Sequence, residues 1–146
     1  MSSTIRSVLG TFLRVHARRD VSARLLFATP SGDRHEIATL GAAMLAAASG
    51  LGVAYLGPDL PARDIVQSVK TSGATVLVLG LTGASARKAT ERELRAVVAD
   101  LPRDVELWAG GRGAERHTAI IGERGLVFLD YATYQQELVR LSGRIG

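Results

Sequence analysis

The sequence predicts a single α/β domain in which a doubly wound parallel sheet is covered by helices on both faces. From Arg24 onward, short β-rich apolar runs alternate with longer amphipathic or Ala-rich stretches, the pattern of strands joined by crossover helices. The length of 146 residues is that of one domain, usually ~100–150 residues. Apolar residues make up 47% and charged residues 22%, with 16 Gly and only 4 Pro. That composition supports a packed core and excludes collagen-like and disordered chains.

Five strands are expected at residues 25–29, 53–56, 75–81, 105–109 and 126–128, each too short and too β-branched or aliphatic to form a helix of its own. Helices should fill the gaps at 34–49, 62–72, 87–100, 113–122 and 131–142. Gly50 and Gly73 read as helix stop signals, and Pro61 suits the first turn of the second helix. The 41–48 stretch is almost entirely Ala, Met and Leu, small enough to lie close to a sheet or a flat ligand. Close packing alone also explains it, since Ala is the best helix former. Residues 1–23 form an N-terminal extension ahead of a domain spanning 24–146. Ile5, Val8, Leu9, Phe12, Leu13 and Val15 recur there at helical spacing, so an amphipathic helix is preferred over a transit peptide, although Arg6, Arg14, Arg18 and Arg19 without acidic residues suit either.

The absence of Cys excludes disulfide scaffolds, thiolate metal sites and cysteine nucleophiles, and fits a reducing, cytoplasmic location. The longest apolar run, 42–48, is far short of the ~20 residues of a membrane span. The net charge of +4 is mild, and its concentration near the N-terminus reads as a solvated face before it reads as nucleic-acid contact.

Ligands of open parallel sheets sit outside the carboxyl ends of the strands, so chemistry is sought in the loops there. After the first strand come Pro30, Ser31, Gly32, Asp33, Arg34, His35 and Glu36; after the third, Thr82, Gly83, Ala84 and Ser85; after the fourth, Gly110, Gly111, Arg112 and Gly113. Asp33 and His35 are spaced so that a carboxylate can hold one imidazole nitrogen while the other faces a metal or proton. A helix-entry or surface pair is the plainer reading, as is an ordinary first-turn acid for Glu36. Gly110 and Gly111 permit close backbone approach or simply a tight turn, and Thr82 offers a hydroxyl to a ligand or a cap. Their joint placement at one sheet edge favours a shared ligand. A Gly-x-Gly-x-x-Gly fingerprint, a phosphate loop, a receiver aspartate after the third strand and a Gly-x-Ser-x-Gly elbow are all missing from the sequence.

Asp33-Arg34-His35-Glu36-Ile37-Ala38, then Thr82-Gly83-Ala84, then Gly110-Gly111 resemble the motifs of the cobalamin-binding domain family, Asp-x-His-x-x-Gly, Ser-x-Leu and Gly-Gly. The order and spacing match from Arg24 to Ile145. Together with Tyr55-Leu56-Gly57-Pro58-Asp59-Leu60-Pro61, they are most similar to the cobalamin domain of light-responsive MerR-type regulators. Ala38 stands at the family's Gly, Ala84 at its Leu and Thr82 at its Ser, so weakened rather than abolished binding is expected.

The resemblance implies a flavodoxin-like or Rossmann-like sheet of order 2-1-3-4-5. It also implies a corrinoid cofactor (adenosylcobalamin, methylcobalamin or hydroxocobalamin) bound base-off and His-on. His35 would be the lower axial ligand of cobalt, oriented by Asp33. Arg34, Glu36, Ala38, Thr82, Gly83, Ala84, Gly110 and Gly111 would surround the cofactor and its inserted tail. In the related repressors a winged helix and a helical bundle precede this domain, whereas about two dozen residues precede the first strand here. Direct DNA recognition is therefore not expected without a partner domain, and His16 reads as a helix-surface residue and His117 as an ordinary helix residue. The expected role is a cobalamin-binding sensor or regulatory module, non-catalytic itself, acting through a protein partner or self-association. A corrinoid-carrying subunit of a methyltransferase or mutase system, and a ligand-free flavodoxin-like interaction domain, are the alternatives.

Overall fold

The computed structural model describes residues 23–30, 37–83 and 87–143. Five parallel strands form one sheet in the order β2-β1-β3-β4-β5: β1 Arg24–Pro30, β2 Gly52–Leu60, β3 Val76–Gly80, β4 Glu106–Gly110 and β5 Leu126–Phe128. The helices are α1 Ile37–Ala48, α2 Ala62–Ser72, α3 Arg87–Asp100, α4 Thr118–Gly122 and α5 Tyr131–Gly143, with a 3₁₀ turn at Ala114–His117. The fold is thus the doubly wound, flavodoxin-like arrangement expected. The proposed N-terminal helix, with His16, lies outside the described residues.

Strand alternation sends side chains to two cores. Leu25 and Phe27 of β1, Val76 and Val78 of β3 and Trp108 of β4 face α1 and α5. Leu26, Ala28, Leu77, Leu79, Leu107 and Ala109 face the other way, against α2, α3 and α4. Helix α1 buries Thr39, Leu40, Ala43, Ala46 and Ala47, a stripe of mostly small side chains that lets its axis approach the sheet. It stops in a Schellman turn: Gly50, at φ 87°, donates to Ala47 O, and Leu51 donates to Ala46 O while burying its own side chain completely. Helix α2 also stops at a left-handed glycine, Gly73, where the Ala74 N–H donates to the Ser72 hydroxyl at 3.3 Å. Pro61 sits one residue before α2, at its N-cap.

Two elements depart from expectation. Strand β2 runs on to Leu60 instead of stopping at Leu56, because it is an edge strand and register shifts absorb its punctuation. Phe27 pairs with Tyr55, Ala28 with Gly57 and Pro30 with Leu60, Pro58 forfeits no ladder bond on the free edge, and the left-handed Asp59 (φ 58°) donates its N–H to Thr29 Oγ1 at 3.0 Å. Residues 113–122 form a 3₁₀ turn and a separate short helix rather than one helix, with the Thr118 hydroxyl donating to Glu115 O at 2.8 Å across the junction. His117, at that junction, is not an ordinary helix residue: it is 3% exposed and its Nδ1 has no hydrogen-bond partner. Burial lowers its pKa most, Glu91 opposes the shift, and Arg87 and Arg116 add to it.

At the opposite, amino-terminal end of the sheet, Arg124 donates to the carbonyls of Leu101, Pro102 and Val105. One guanidinium thereby satisfies three oxygens of the turn that leads into β4.

Candidate functional site

Strand order reverses between β1 and β3, the place where adjacent strands send their following helices to opposite faces and leave a crevice. A cavity of about 480 Å³ opens there, on the α1/α5 side of the carboxyl ends. Its inner wall is apolar, built from Phe27, Val78, Phe128 and Ala42, and its mouth carries Thr82, Arg112, Glu115 and Asp130. It is a size and lining typical of small-molecule sites.

The two helices that flank it are held apart and tied together by identifiable contacts. Near the amino end of α1, Thr39 lies over Gly80, the last residue of β3; a Cβ at Gly80 would overlap the Thr39 hydroxyl. Glycine at that strand end therefore sets how closely α1 can seat. Across the cavity, Tyr134 of α5 donates its hydroxyl to Ala42 O of α1 at 2.5 Å, and burial raises the pKa of that phenol, with Tyr131 adding to the effect. Behind the wall, Trp108 packs edge-on against Phe128 at 5.3 Å and against Tyr134 at 6.1 Å. The Trp108 indole N–H is buried without a partner.

The amino end of α5 also opens on the cavity. Asp130 caps it, accepting the Thr133 N–H at 2.8 Å and the Thr133 hydroxyl at 2.9 Å. These bonds, the backbone one first, hold the Asp130 carboxyl below its usual pKa.

Of the residues expected from sequence, the structure brings Ala38, Thr82, Gly110 and Gly111 to this one cavity. Gly83 stands behind it, packed against the backbone of Gly113. Asp33, Arg34, His35, Glu36 and Ala84 lie outside the described residues; Pro30 and Ile37, which flank the 31–36 stretch, sit at the carboxyl end of β1 and the amino end of α1. Sequence reading missed Thr39, Gly80, Asp130 and Tyr134. The Asp-x-x-Thr spacing of Asp130 and Thr133 is a legible helix-start signal beside a strand end. The Tyr134–Ala42 bond spans 92 residues and leaves no local signal.

No group of three or more His, Asp or Glu side chains suited to a metal ion occurs among the described residues. Nor is any helix among them long and apolar enough to cross a membrane.

No protein-family model matches the chain. Over 88 residues, 60% of its length, it is 30% identical to the HTH-type transcriptional repressor CarH of Myxococcus xanthus, of which the match covers 29%. Its fold is similar to that of a cobalamin-binding protein from Desulfitobacterium hafniense, with a TM-score of 0.67 and 24% identity over 82% of this chain and 58% of that one. It is similar also to the methanol:cobalamin methyltransferase complex MtaBC from Methanosarcina barkeri, with a TM-score of 0.69 and 17% identity over 87% of this chain and 49% of that one. The chain thus spans less than a third of the curated relative and less than two thirds of either structure. The similarity in sequence is thus to part of a transcriptional repressor, and the similarity in fold is to proteins described as cobalamin-binding or as part of a cobalamin methyltransferase complex.

Proposed function

We propose that this chain binds a corrinoid through the cavity between α1 and α5 and serves as a sensor or regulatory module. The observation that carries the reading is the coincidence of an apolar cavity with Ala38, Thr82, Gly110 and Gly111 at the switch point of the sheet. Fit can be judged from the chain itself. A Cβ at Gly110 would meet Phe128 at 3.8 Å, so glycine there leaves the space next to the wall open for a flat group. The small face of α1 does the same from the other side.

In this reading His35 would hold the cobalt through an imidazole nitrogen, and Asp33 would accept the hydrogen bond that fixes the imidazole tautomer and raises its basicity. Arg34 and Glu36, their neighbours in sequence, would contribute to the same site. Thr82 would present its hydroxyl to the inserted tail, Gly83 keeps the loop after β3 close to the turn after β4, and Ala38 keeps the wall small, a part the resemblance also gives to Ala84. A bound corrinoid would supply a cobalt centre able to exchange a ligand. The protein's part is to hold that group, exclude water from the tail, and couple occupancy to a protein partner or a second copy. Residues 1–23 form the extension and 24–146 the binding domain. The partial likeness to a transcriptional repressor supports regulation over catalysis, with DNA contact left to a partner.

Dark incubation with hydroxo-, methyl- and adenosylcobalamin, followed by desalting, tests the reading. Retained cofactor whose absorption spectrum changes in His35→Ala is expected. A folded protein that retains none of the three would leave a ligand-free interaction domain. Retention that is strengthened by a methyltransferase partner would instead assign the chain to corrinoid carriage.

A further inference from the structure

We infer that the outer face of α1, turned away from the sheet, is where a second copy of this chain docks, Leu45 of each copy seating against Gly41 of the other about a two-fold axis. This deepens the regulatory reading by naming the surface for self-association, and it can fail while corrinoid binding stands.

Helix α1 is apolar all the way round. Its 12 residues include no ionisable side chain, and Thr39, its one polar residue, is buried. A helix of that kind belongs inside a protein, yet the sheet covers only one side of α1. On the other side Ile37 is 60% exposed and Leu45 36%, with Met44 half-buried and Ala48 exposed. Helix α5 lies alongside, joined to α1 by the Tyr134 hydroxyl on Ala42 O and the Ser142 hydroxyl on Ser49 O, and its Val139, 70% exposed, adds apolar surface next to α1.

Gly41 identifies the occupant. Glycine inside a helix lowers stability relative to alanine, and the described fold does not require it here: the residue is ordinary helix within α1, and a Cβ built on it would meet no atom within 4 Å. The missing side chain therefore makes room for a neighbour outside the fold. Leu45 follows Gly41 by four residues, one turn along the same side of the helix, so the face carries a notch and a ridge next to each other. Two copies of α1 crossing antiparallel about a two-fold axis place each ridge in the other's notch, the reciprocal contact of an isologous interface. Such an axis also sets each nearby charge against its own copy. Helices α2, α3 and α5 all carry ionisable side chains, whereas α1 carries none and meets its copy without like-charge repulsion.

Sedimentation velocity of the full chain over a range of concentrations tests the inference, with thermal unfolding and hydroxocobalamin retention read on the same samples. The wild type is expected to dimerise reversibly. Leu45→Glu sets two carboxylates into the contact and is expected to weaken association by at least about a hundredfold, while Arg95→Glu, on the exposed side of α3, should leave it unchanged. Gly41→Ala separates the interface from the fold by opposite signs. It should raise the unfolding temperature of dilute, monomeric protein by a few degrees and weaken association about tenfold, because the added methyl fills the notch. A wild type that stays monomeric at every concentration, with and without hydroxocobalamin, would overturn the inference, as would a dimer that persists in Leu45→Glu. A monomeric wild type that Leu45→Glu destabilises would overturn it in favour of residues 1–22 of the same chain as the cover. A dimer that retains no cobalamin would overturn the corrinoid reading alone.

Discussion

The two faces of the sheet are built to different specifications. The α2/α3/α4 side is aliphatic and well filled around Ile65, Leu77, Leu79, Leu94 and Ile121, which are essentially inaccessible. The α1/α5 side is solid only in its lower part, where Leu25, Leu40 and Trp108 meet, and opens into a cavity above. Its helix against the sheet is Ala-rich, its aromatic side chains are concentrated around the opening, and its helices are joined by a hydroxyl-to-carbonyl bond. One face supplies stability and the other supplies a binding space. The same period-two alternation of each strand feeds both.

Substitutions should separate the faces. Leu94→Ala on the filled side removes a fully buried side chain and is expected to cost about 3 kcal/mol in denaturant unfolding, as cavity-forming changes do. Its effect on cobalamin retention under native conditions should be slight. Tyr134→Phe should cost about 1 kcal/mol by loss of one hydrogen bond but, unlike Leu94→Ala, should also weaken ligand retention, because the bond that ties α1 to α5 is gone. Equal retention in both variants would show that the clamp does not shape the cavity.

His117 lies on the filled side and gives that side a pH dependence. Its folded pKa is lowered from 6.5, so the unfolded chain binds more protons as the pH falls. The stability it contributes is complete above about pH 6.5 and is lost as the pH drops toward the folded value. Asp130, also lowered, loses its contribution further into acid. His117→Phe should therefore flatten the unfolding midpoint between pH 7 and pH 5 relative to wild type, as read by thermal scans; a parallel pair of curves would sink the assignment.

The smallest effect on stability is expected at the cavity itself. Ala42→Leu keeps a good helix former at a position that lines the cavity, so the added side chain can extend into that space and the unfolding free energy should move by no more than about 0.5 kcal/mol. Cobalamin retention should nevertheless be lost. That inversion, a large functional effect with almost no effect on stability, is the sharpest difference between the faces.

Most of the fold was legible because it rests on local signals. The helices at Ala62–Ser72 and Arg87–Asp100 and the strand Leu126–Phe128 fall at their expected limits, and Gly50 and Gly73 stop their helices by the left-handed turns anticipated. Strand β2 extends past the expected 53–56 because its position at the sheet edge lets pairing continue beyond Gly57 and Pro58, which a sequence pattern does not register. The break at His117 was missed because a buried, unpartnered imidazole cannot be told from an exposed one by its neighbours in sequence. In the site, Thr82, Gly110 and Gly111 were visible as unusual residues at strand ends. Thr39 over Gly80 and Tyr134 on Ala42 are tertiary contacts between distant residues, and nothing nearby in the sequence marks them.

The bulged course of β2 bears on how two copies of this chain can meet. An open sheet exposes two rows of unpaired backbone groups that invite strand addition. Here β5 offers only three residues, and β2 is bent by Pro58 and the left-handed Asp59 at its carboxyl end. Both borders are poor templates for a sixth strand. Self-association that couples to the ligand would therefore proceed through helix surfaces, leaving each sheet to close on its own cavity.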